Sequence, residues 1–237
     1  MTDSPAFHPT RWTLVLRATG KGDEAATALS DLCAAYYAPV VAYLRREGRD
    51  DDAARELAHA FFERVLAGGV GHPEPGRGRF RSYLLGALKH FLANQRAARL
   101  AEKRGGGVEH LPLVAETHTA PGLPLPAAPE PPPEEIFDRA WAFTLIARAL
   151  AALEVEQAEK PEQFAALKPW LDGGGDRPQA EVAAQLGLSV TAVKVAIHRL
   201  RVRFRELIRS EIAATVNDVA EAADELRHLI EIAARGQ

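Results

Sequence analysis

Six cations crowd one short stretch of the chain, where a single acid, Glu206, stands among them. Lysine and arginine form charge-assisted hydrogen bonds with phosphate, and both can donate to the edge of guanine. This excess of positive charge is larger than solubility requires, so it indicates contact with a polyanion. The six cations are Lys194, Arg199, Arg201, Arg203, Arg205 and Arg209.

The same stretch has the period of an amphipathic helix. At ~100° per residue, one apolar stripe holds Val193, Ala196, Ile197, Leu200, Phe204 and Leu207. The opposite face carries Thr191, Lys194, Val195, His198, Arg199 and Arg205. Such a helix packs one face on its own domain and presents the other to base edges and phosphates. An ordinary amphipathic helix with a solvated basic face is the alternative.

A shorter helix is predicted just before it, from about Gln179 to Leu186. Gly187 then supplies a turn. Ser189 is a good N-cap for the following helix, because its side-chain oxygen accepts a backbone N–H that would otherwise be unpaired. Residues 178 to 209 therefore predict a helix-turn-helix unit, the arrangement that places its second helix in the major groove of DNA.

The formal net charge of −3 hides a strong segregation of charge along the chain. From Arg77 to Arg104 there are eight cations and one acid, whereas residues 105 to 135 hold five acids and no lysine or arginine. Residues 210 to 237 hold six acids and two arginines. Two basic modules, separated and followed by acidic segments, would bind DNA locally and limit nonspecific attraction.

A proline-rich linker divides the chain. Residues 105 to 133 contain eight prolines and four glycines and show no helical or alternating period, which predicts an extended tether. Elsewhere apolar residues recur every three or four positions. The sequence thus predicts an all-α fold with two small helical domains at 1–104 and 135–209, a linker at 105–134 and a C-terminal helical extension at 210–237.

In the first domain, helices are predicted at 11–18, 24–46, 51–67 and 80–103, with Asp50 or Asp51 capping the third. Between the last two lies a Gly- and Pro-rich loop at 68–80. Its arginines and nearby aromatic side chains could clamp unpaired bases. Core packing is the favoured alternative for Phe80 and Tyr83.

The C-terminal extension has its own helical signals. Asp218 and Glu221 can form a capping box, and an apolar stripe is predicted at Val219, Ala223, Leu226, Leu229, Ile230 and Ala233. Two interpretations are open. The helix packs back on a domain or docks a regulator and so gates access, or it completes the core of the second domain.

Enzyme classes find little support in the residue spacing. The eight histidines are scattered, and no H-x-x-x-H or C-x-x-C pair occurs. The glycine-rich segments at 68–72 and 105–107 lack the Gly-Lys-Ser/Thr of phosphate-binding loops. We therefore expect no enzymatic activity, no cofactor, no metal and no small-molecule substrate.

Compartment signals are few. The single cysteine, Cys33, excludes an internal disulfide framework and favours a reducing cytoplasm. The N-terminal residues are not expected to form a signal peptide, and no apolar run approaches bilayer length. We expect a cytoplasmic protein without a membrane partner.

Two segments of the first domain resemble parts of a known family. DDAARELAHAFFERVL, residues 51 to 66, resembles the helix of sigma-70-type transcription initiation factors that docks on the clamp helices of RNA polymerase. GRFRSYLLGALKHFLANQR, residues 78 to 96, resembles their promoter-melting segment, with Tyr83 where tryptophan is usual. Together with the tether and the helix-turn-helix, residues 10–104 and 135–209 resemble the two-domain extracytoplasmic-function (ECF) sigma factors.

This resemblance implies a transcription initiation factor that binds the clamp helices and flap of core RNA polymerase, and promoter DNA. Its two domains would be sigma domain 2 and sigma domain 4. An anti-sigma or other regulatory protein is a further implied partner. At the minus-35 element, the resemblance assigns base reading to Lys194, Val195, His198 and Arg199, and phosphate contact to Thr191 and Arg201. It assigns minus-10 contacts to Arg77, Arg79, Phe80, Arg81, Lys89, Asn94 and Arg96. Polymerase docking would fall to Glu56, His59, Phe62 and Glu63. The alternative is a stand-alone helix-turn-helix regulator with an N-terminal sensor or dimerisation domain.

Overall fold

Eight α-helices and no strand form the part of the chain that the computed structural model describes, which is residues 23–67, 79–105, 131–171, 175, 177–216 and 219–234. The predicted all-α class is confirmed for these residues. The predicted helix at 11–18, most of the loop at 68–80 and most of the linker lie outside them.

The first three helices follow the apolar periods of the sequence closely. Helix α1 spans Asp23–Arg46, α2 spans Asp51–Leu66 and α3 spans Phe80–Gly105. Asp50 caps α2, because its carboxylate accepts the backbone N–H of Ala53 at 2.8 Å. The predicted cap and the three predicted helices in this region are therefore confirmed to within a few residues.

The remaining helices come after the predicted linker. Helix α4 spans Pro133–Glu156 and begins with proline, whose fixed φ suits the first helical position. The others are α5 at Pro161–Leu167 with a 3-10 turn at Lys168–Trp170, α6 at Gln179–Leu186, α7 at Val190–Ala213 and α8 at Val219–Ala234.

A first hydrophobic core joins α1, α2 and α3 to the first half of α4, the end of α7 and the inner face of α8. Aromatic rings fill its centre, and the rings of Tyr36 and Phe80 meet edge to face with centroids 5.1 Å apart. Burying each large side chain of this kind contributes ~1.5–3 kcal/mol. Phe137, Trp141 and Leu145 of α4 belong to this core, so its residues come from both sides of the predicted linker.

A second core lies under α7. It contains Leu153 from the last turns of α4 together with side chains of α5, α6 and α7. Phe164, Leu167 and Trp170 are all buried in it. Helix α4 therefore runs through both cores. The predicted domain boundaries at 104, 134 and 209 stay predictions.

The inward face of helix α8 matches only in part the one that its apolar residues predict. Leu226 and Leu229 contact the first core as predicted, but Ala223 and Ile230 are exposed, Ile230 by 56%. The prediction for these two residues was wrong. The residues that turn inward in their place are Glu225 and Ile232. The capping residue Asp218, and the side chains of Val219 and Ala233, lie outside the described part.

Among the described residues, no single helix is long and apolar enough to cross a membrane. Helices α6 and α7 are long and apolar enough only when they are joined end to end, and the chain bends by 100° between them. Their main apolar residues, including Val182, Val193 and Ile197, are buried in the second core.

Candidate nucleic-acid interface

Helices α6 and α7 meet at 100° and are separated by three residues. Gly187 ends α6 in the left-handed region, at φ 64° and ψ 29°, which glycine adopts without steric cost. Leu188 then donates its backbone N–H to the carbonyl of Ala183 at 2.9 Å. Two helices at roughly 90–120°, joined by a short glycine-containing turn, have the geometry of a helix-turn-helix.

Ser189 begins the second helix of this pair. Its backbone is extended, and its hydroxyl oxygen accepts the N–H of Ala192 at 3.1 Å. The predicted N-cap is confirmed, and it fixes where α7 starts. The first exposed residues of α7 therefore have a defined position relative to α6.

Replacing Ser189 with alanine is expected to lower the free energy of unfolding by ~1 kcal/mol, because the Ala192 N–H loses its acceptor. Urea denaturation followed by circular dichroism measures the change. Ser210→Ala is the matched control, since Ser210 lies exposed inside the same helix. Alanine is the better helix former there, so this variant should be neutral or slightly more stable. Equal losses in both variants would contradict the capping role.

The outward face of α7 carries the residues predicted to read duplex DNA. The side chains of Thr191, Lys194, Val195, His198 and Arg199 are all exposed. Val195 is 44% exposed, a large fraction for an apolar residue. Polar and apolar side chains thus lie next to each other on this exposed face. It is the face opposite the predicted apolar stripe.

Arg201, further along α7, makes a contact within the protein. Its Nε donates to the backbone carbonyl of Trp170 at 2.7 Å, and its side chain is half-buried. The guanidinium therefore holds α7 against the 3-10 turn. Its Nη1 and Nη2 are left for the predicted phosphate contact.

The charges on α7 divide into paired and unpaired groups. Lys194, Arg199 and Arg205 make no ion pair with any acid in the part of the chain that the structure describes. Arg203, by contrast, binds Glu156 of α4 at 2.7 Å, and its hydrogen bonds hold the pKa of the Glu156 carboxyl below its usual range. The outward face therefore keeps a positive field that neighbouring acids do not neutralise.

The residues predicted to hold a melted strand have a different environment. Arg77 lies outside the described residues. Phe80 is fully buried against Tyr36, so in this arrangement it packs in the core, which was the alternative for this residue. Arg81 is only 6% exposed. The strand contact predicted for Arg81 implies an exposed side chain, and the burial of Arg81 contradicts that exposure.

Arg81 is held between two acids from distant parts of the chain. Its Nε donates to Oε1 of Glu225 at 3.0 Å and its Nη2 to Oε2 at 3.3 Å, while Nη1 donates to Asp138. Its guanidinium carbon also lies 4.8 Å from the ring centre of Trp141. Burial alone would lower the pKa of this guanidinium, but the two carboxylates raise it above its ordinary value. Arg81 therefore stays charged inside the protein.

The other predicted strand contacts lie around this cluster. Arg79 is half-buried and binds Oε2 of Glu225 at 3.1 Å. Lys89 binds Glu134 at 2.6 Å, and this hydrogen bond lowers the pKa of the Glu134 carboxyl. Arg96 pairs with Glu47 near the surface, and Asn94 is exposed. The structure thus brings Arg79 and Arg81 together beneath α8 and leaves Arg96 and Asn94 further along α3.

The predicted polymerase-docking residues lie on α2. Glu56, His59 and Glu63 are exposed, with the His59 ring stacked on Tyr37 and its Nε2 3.0 Å from the Tyr37 hydroxyl. Phe62 is buried in the first core. Three of the four predicted residues therefore remain available to a partner, and Phe62 supports them from beneath.

Sequence reasoning missed three residues of the charged cluster, namely Asp138, Trp141 and Glu225. A signal was present for Glu225. It lies three residues after Ala222 and four before Leu229 on a helix, so all three share one face. An acid on an inward face requires a cationic partner, and Arg79 and Arg81 supply it here.

Metal and thiol chemistry have no visible basis in the described residues. No group of three or more histidine, cysteine, aspartate or glutamate side chains among them could hold a metal ion. Cys33 packs against the first core, and burial raises the pKa of its thiol, which disfavours the nucleophilic thiolate.

Comparisons with models of protein families, with curated proteins and with solved structures found no match to this chain. The interpretation of the basic face of α7, and of the charged cluster around Arg81, therefore depends on their geometry and chemistry.

Proposed function

We propose that this protein is a bacterial transcription initiation factor of the ECF sigma class, which binds core RNA polymerase and directs it to promoters. The observation that carries the proposal is the outward face of α7. It presents cations that pair with no acid among the described residues, on the second helix of a helix-turn-helix geometry, where a major groove would receive them. The resemblance of residues 51–66 and 78–96 to sigma-70-type segments supports the proposed binding to RNA polymerase.

In this proposal α7 reads the minus-35 element. Lys194 and Arg199 donate to guanine edges, and His198 donates to a purine N7 or to phosphate. Val195 contacts a thymine methyl group, and Thr191 donates to the DNA backbone. Since His198 and Arg199 share this face with the other three, one helix can span several adjacent base pairs.

The segment from α2 to α3 binds the polymerase and the second promoter element. The exposed side chains of α2, which are Glu56, His59 and Glu63, dock on the polymerase clamp helices. Arg79, Arg81 and Lys89, with Asn94 and Arg96 beyond them, follow the backbone of the melted nontemplate strand of the minus-10 element. Cations along the strand offset the cost of unstacking its bases. The protein acts in the cytoplasm, where the polymerase is.

Run-off transcription tests the proposal. Purified core polymerase is combined with the protein on a library of promoter fragments, and initiation at defined start sites is expected only when both are present. Core polymerase alone is the control. If the protein binds duplex DNA but neither binds polymerase nor changes initiation, it is a stand-alone helix-turn-helix regulator instead.

Alanine at Lys194 or at Arg199 is expected to weaken binding to the preferred promoter by ~1–3 kcal/mol per base contact, and to relax base preference at the contacted position. Fluorescence anisotropy with matched and base-substituted duplexes measures both effects. Lys160→Ala removes the same charge from an exposed bend between α4 and α5 and should have no effect. An equal loss of affinity on every duplex would assign Lys194 and Arg199 to phosphate.

A further inference from the structure

Acidic side chains of this protein form ion pairs with the cations that the proposed function assigns to a melted strand. Glu225 of α8 contacts both Arg79, at 3.1 Å, and Arg81, at 3.0 Å, and it is fully buried. Asp138 of α4 takes another nitrogen of Arg81. A carboxylate that accepts two guanidinium nitrogens uses the geometry that arginine also offers to phosphate. Glu225 therefore stands where phosphate oxygens would be.

We propose that α8 is an intramolecular competitor of single-stranded nucleic acid, and that a strand reaches Arg79 and Arg81 by displacing α8. This inference rests on the proposed function, because it adds a regulatory step to the strand-binding half of that function. With α8 in place, the protein binds duplex DNA through α7 and holds its strand-binding cations closed.

The exchange is one of partners. When α8 leaves, Arg79 and Arg81 pass from carboxylates to phosphates, and Glu225 passes to water. Asp138 stays on α4 and keeps a contact with Arg81 throughout. Neither arginine is left buried without an anion, which is the costly outcome for such groups. An intact buried ion pair adds little net stability, so exchanging its acid for phosphate changes the free energy of the protein little.

Helix α8 is attached to the first core by few apolar side chains. Leu229 and Ile232 are buried, Ala222 and Leu226 are half-buried, and Ile230 points to solvent. The aromatic centre of the core is built from residues of α1 to α4 alone. A segment with so little buried apolar surface opens at a lower free energy than the whole domain.

The connection before α8 has its own anchor. The backbone N–H of Phe80, at the start of α3, donates to the carbonyl of Thr215 at 3.3 Å, and Thr215 and Val216 are buried. These contacts precede residue 219, so they persist when α8 is displaced. The start of α3 therefore keeps its position while its arginines change partner.

A charge-only change tests the competition in the full-length protein. Glu225→Gln keeps the shape of the side chain and removes the charge that holds both arginines. Glu231→Gln is the matched control, because Glu231 is an exposed acid on the same helix. Binding of a fluorescent single-stranded oligodeoxynucleotide is measured by anisotropy. Glu225→Gln is expected to bind it at least about fivefold more tightly, within the usual range of coupling between linked sites. Glu231→Gln should match the parent protein.

Truncation after residue 218 removes α8 altogether and should tighten strand binding at least as much as Glu225→Gln does. Binding of a random-sequence duplex, which the proposed function assigns to α7, should be unchanged in all variants. In the parent protein, amide hydrogen exchange supplies a second readout. A saturating strand should reduce protection across residues 219–234, whereas a saturating duplex should not.

The outcomes separate this inference from the proposed function. If duplex binding persists while Glu225→Gln and Glu231→Gln bind the strand alike, and α8 stays protected with strand bound, the competition is overturned and duplex reading stands. If neither parent nor variants bind duplex or strand, both proposals fall. Should the truncated chain not fold, the paired glutamine variants and the exchange measurement still decide.

Discussion

Replacing Arg81 with methionine is expected to lower the free energy of unfolding by about 3 kcal/mol, a large loss for one side chain. The buried carboxylate of Glu225 would lose the two hydrogen bonds that Arg81 donates, and Asp138 would lose one. Glu225 keeps Arg79 at 3.1 Å, and Asp138 keeps His228 at 3.2 Å. These remaining partners place the expected loss at the lower end for a broken buried ion pair.

Lys89→Met is the matched control for this prediction. It removes one cation from the same helix, but the pair between Lys89 and Glu134 is almost half exposed on both sides. Pairs exposed to this extent contribute ~0–1 kcal/mol. Urea denaturation followed by circular dichroism measures both variants. Losses of equal size would show that burial of the Arg81 cluster does not matter.

A second substitution isolates the interaction. In the double variant Arg81→Met with Glu225→Leu, no buried carboxylate is left facing an apolar side chain. Replacing both members of a buried ion pair by apolar residues is often neutral for stability. The double variant should therefore be more stable than Arg81→Met alone. Strict additivity of the two single losses would contradict the coupling between the two residues.

Local signals were sufficient for the helix-turn-helix geometry. The bounds of α6 are those predicted, Gly187 adopts the left-handed conformation, and Ser189 caps α7. Each of these features depends on residues within one or two turns of the chain. The apolar stripe of α7 is likewise local, and Val193, Ile197 and Leu200 are buried as predicted. This explains why the exposed basic face could be predicted from the sequence.

The charged cluster depends on long-range pairing, which no local period encodes. Arg81 and Glu225 are separated by 144 positions, and Arg81 and Asp138 by 57. A cation near a glycine-rich loop is ordinarily at the surface, so exposure was the natural expectation for Arg81. The apolar period of α8 favoured Ile230 as an inward residue. Satisfying the buried arginine instead requires Glu225 on that side, and the helix is turned accordingly.

The same limit applies to α4. Its first turns supply Phe137 and Trp141 to one core, and its last turns supply Leu153 to the other. Apolar spacing can show that each of these residues faces inward. It cannot show that two different cores lie along one helix, because the partners in the first core come from before the predicted linker. For this reason a tethered pair of separate domains was the expectation from sequence.

Trp141→Ala is expected to cost ~3–5 kcal/mol of stability, the usual range for truncating a large buried aromatic side chain. Trp141 is fully buried in the first core, where its indole ring packs beside the Arg81 guanidinium at 4.8 Å. Alanine would leave a cavity next to a buried charge and remove the cation–π interaction. Chemical denaturation followed by circular dichroism measures the loss.

Trp141→Phe separates the ring from the indole nitrogen. The Nε1 of Trp141 is buried and has no hydrogen-bond acceptor among the described residues. Phenylalanine keeps an aromatic face for Arg81 and removes an N–H that is buried without a partner. The expected cost is therefore on the order of 1 kcal/mol, well below that of alanine. A phenylalanine variant as unstable as the alanine variant would indicate a hydrogen bond from this nitrogen.

The shape of the Trp141→Ala transition carries further information about α4. Since one continuous helix links Trp141 in the first core to Leu153 in the second, loss of the first core should weaken the second. We expect a single cooperative transition that shifts as a whole to lower denaturant. Two separate transitions, with only the earlier one shifted, would mean that the cores unfold independently. In that case α4 would connect two folding units without coupling them.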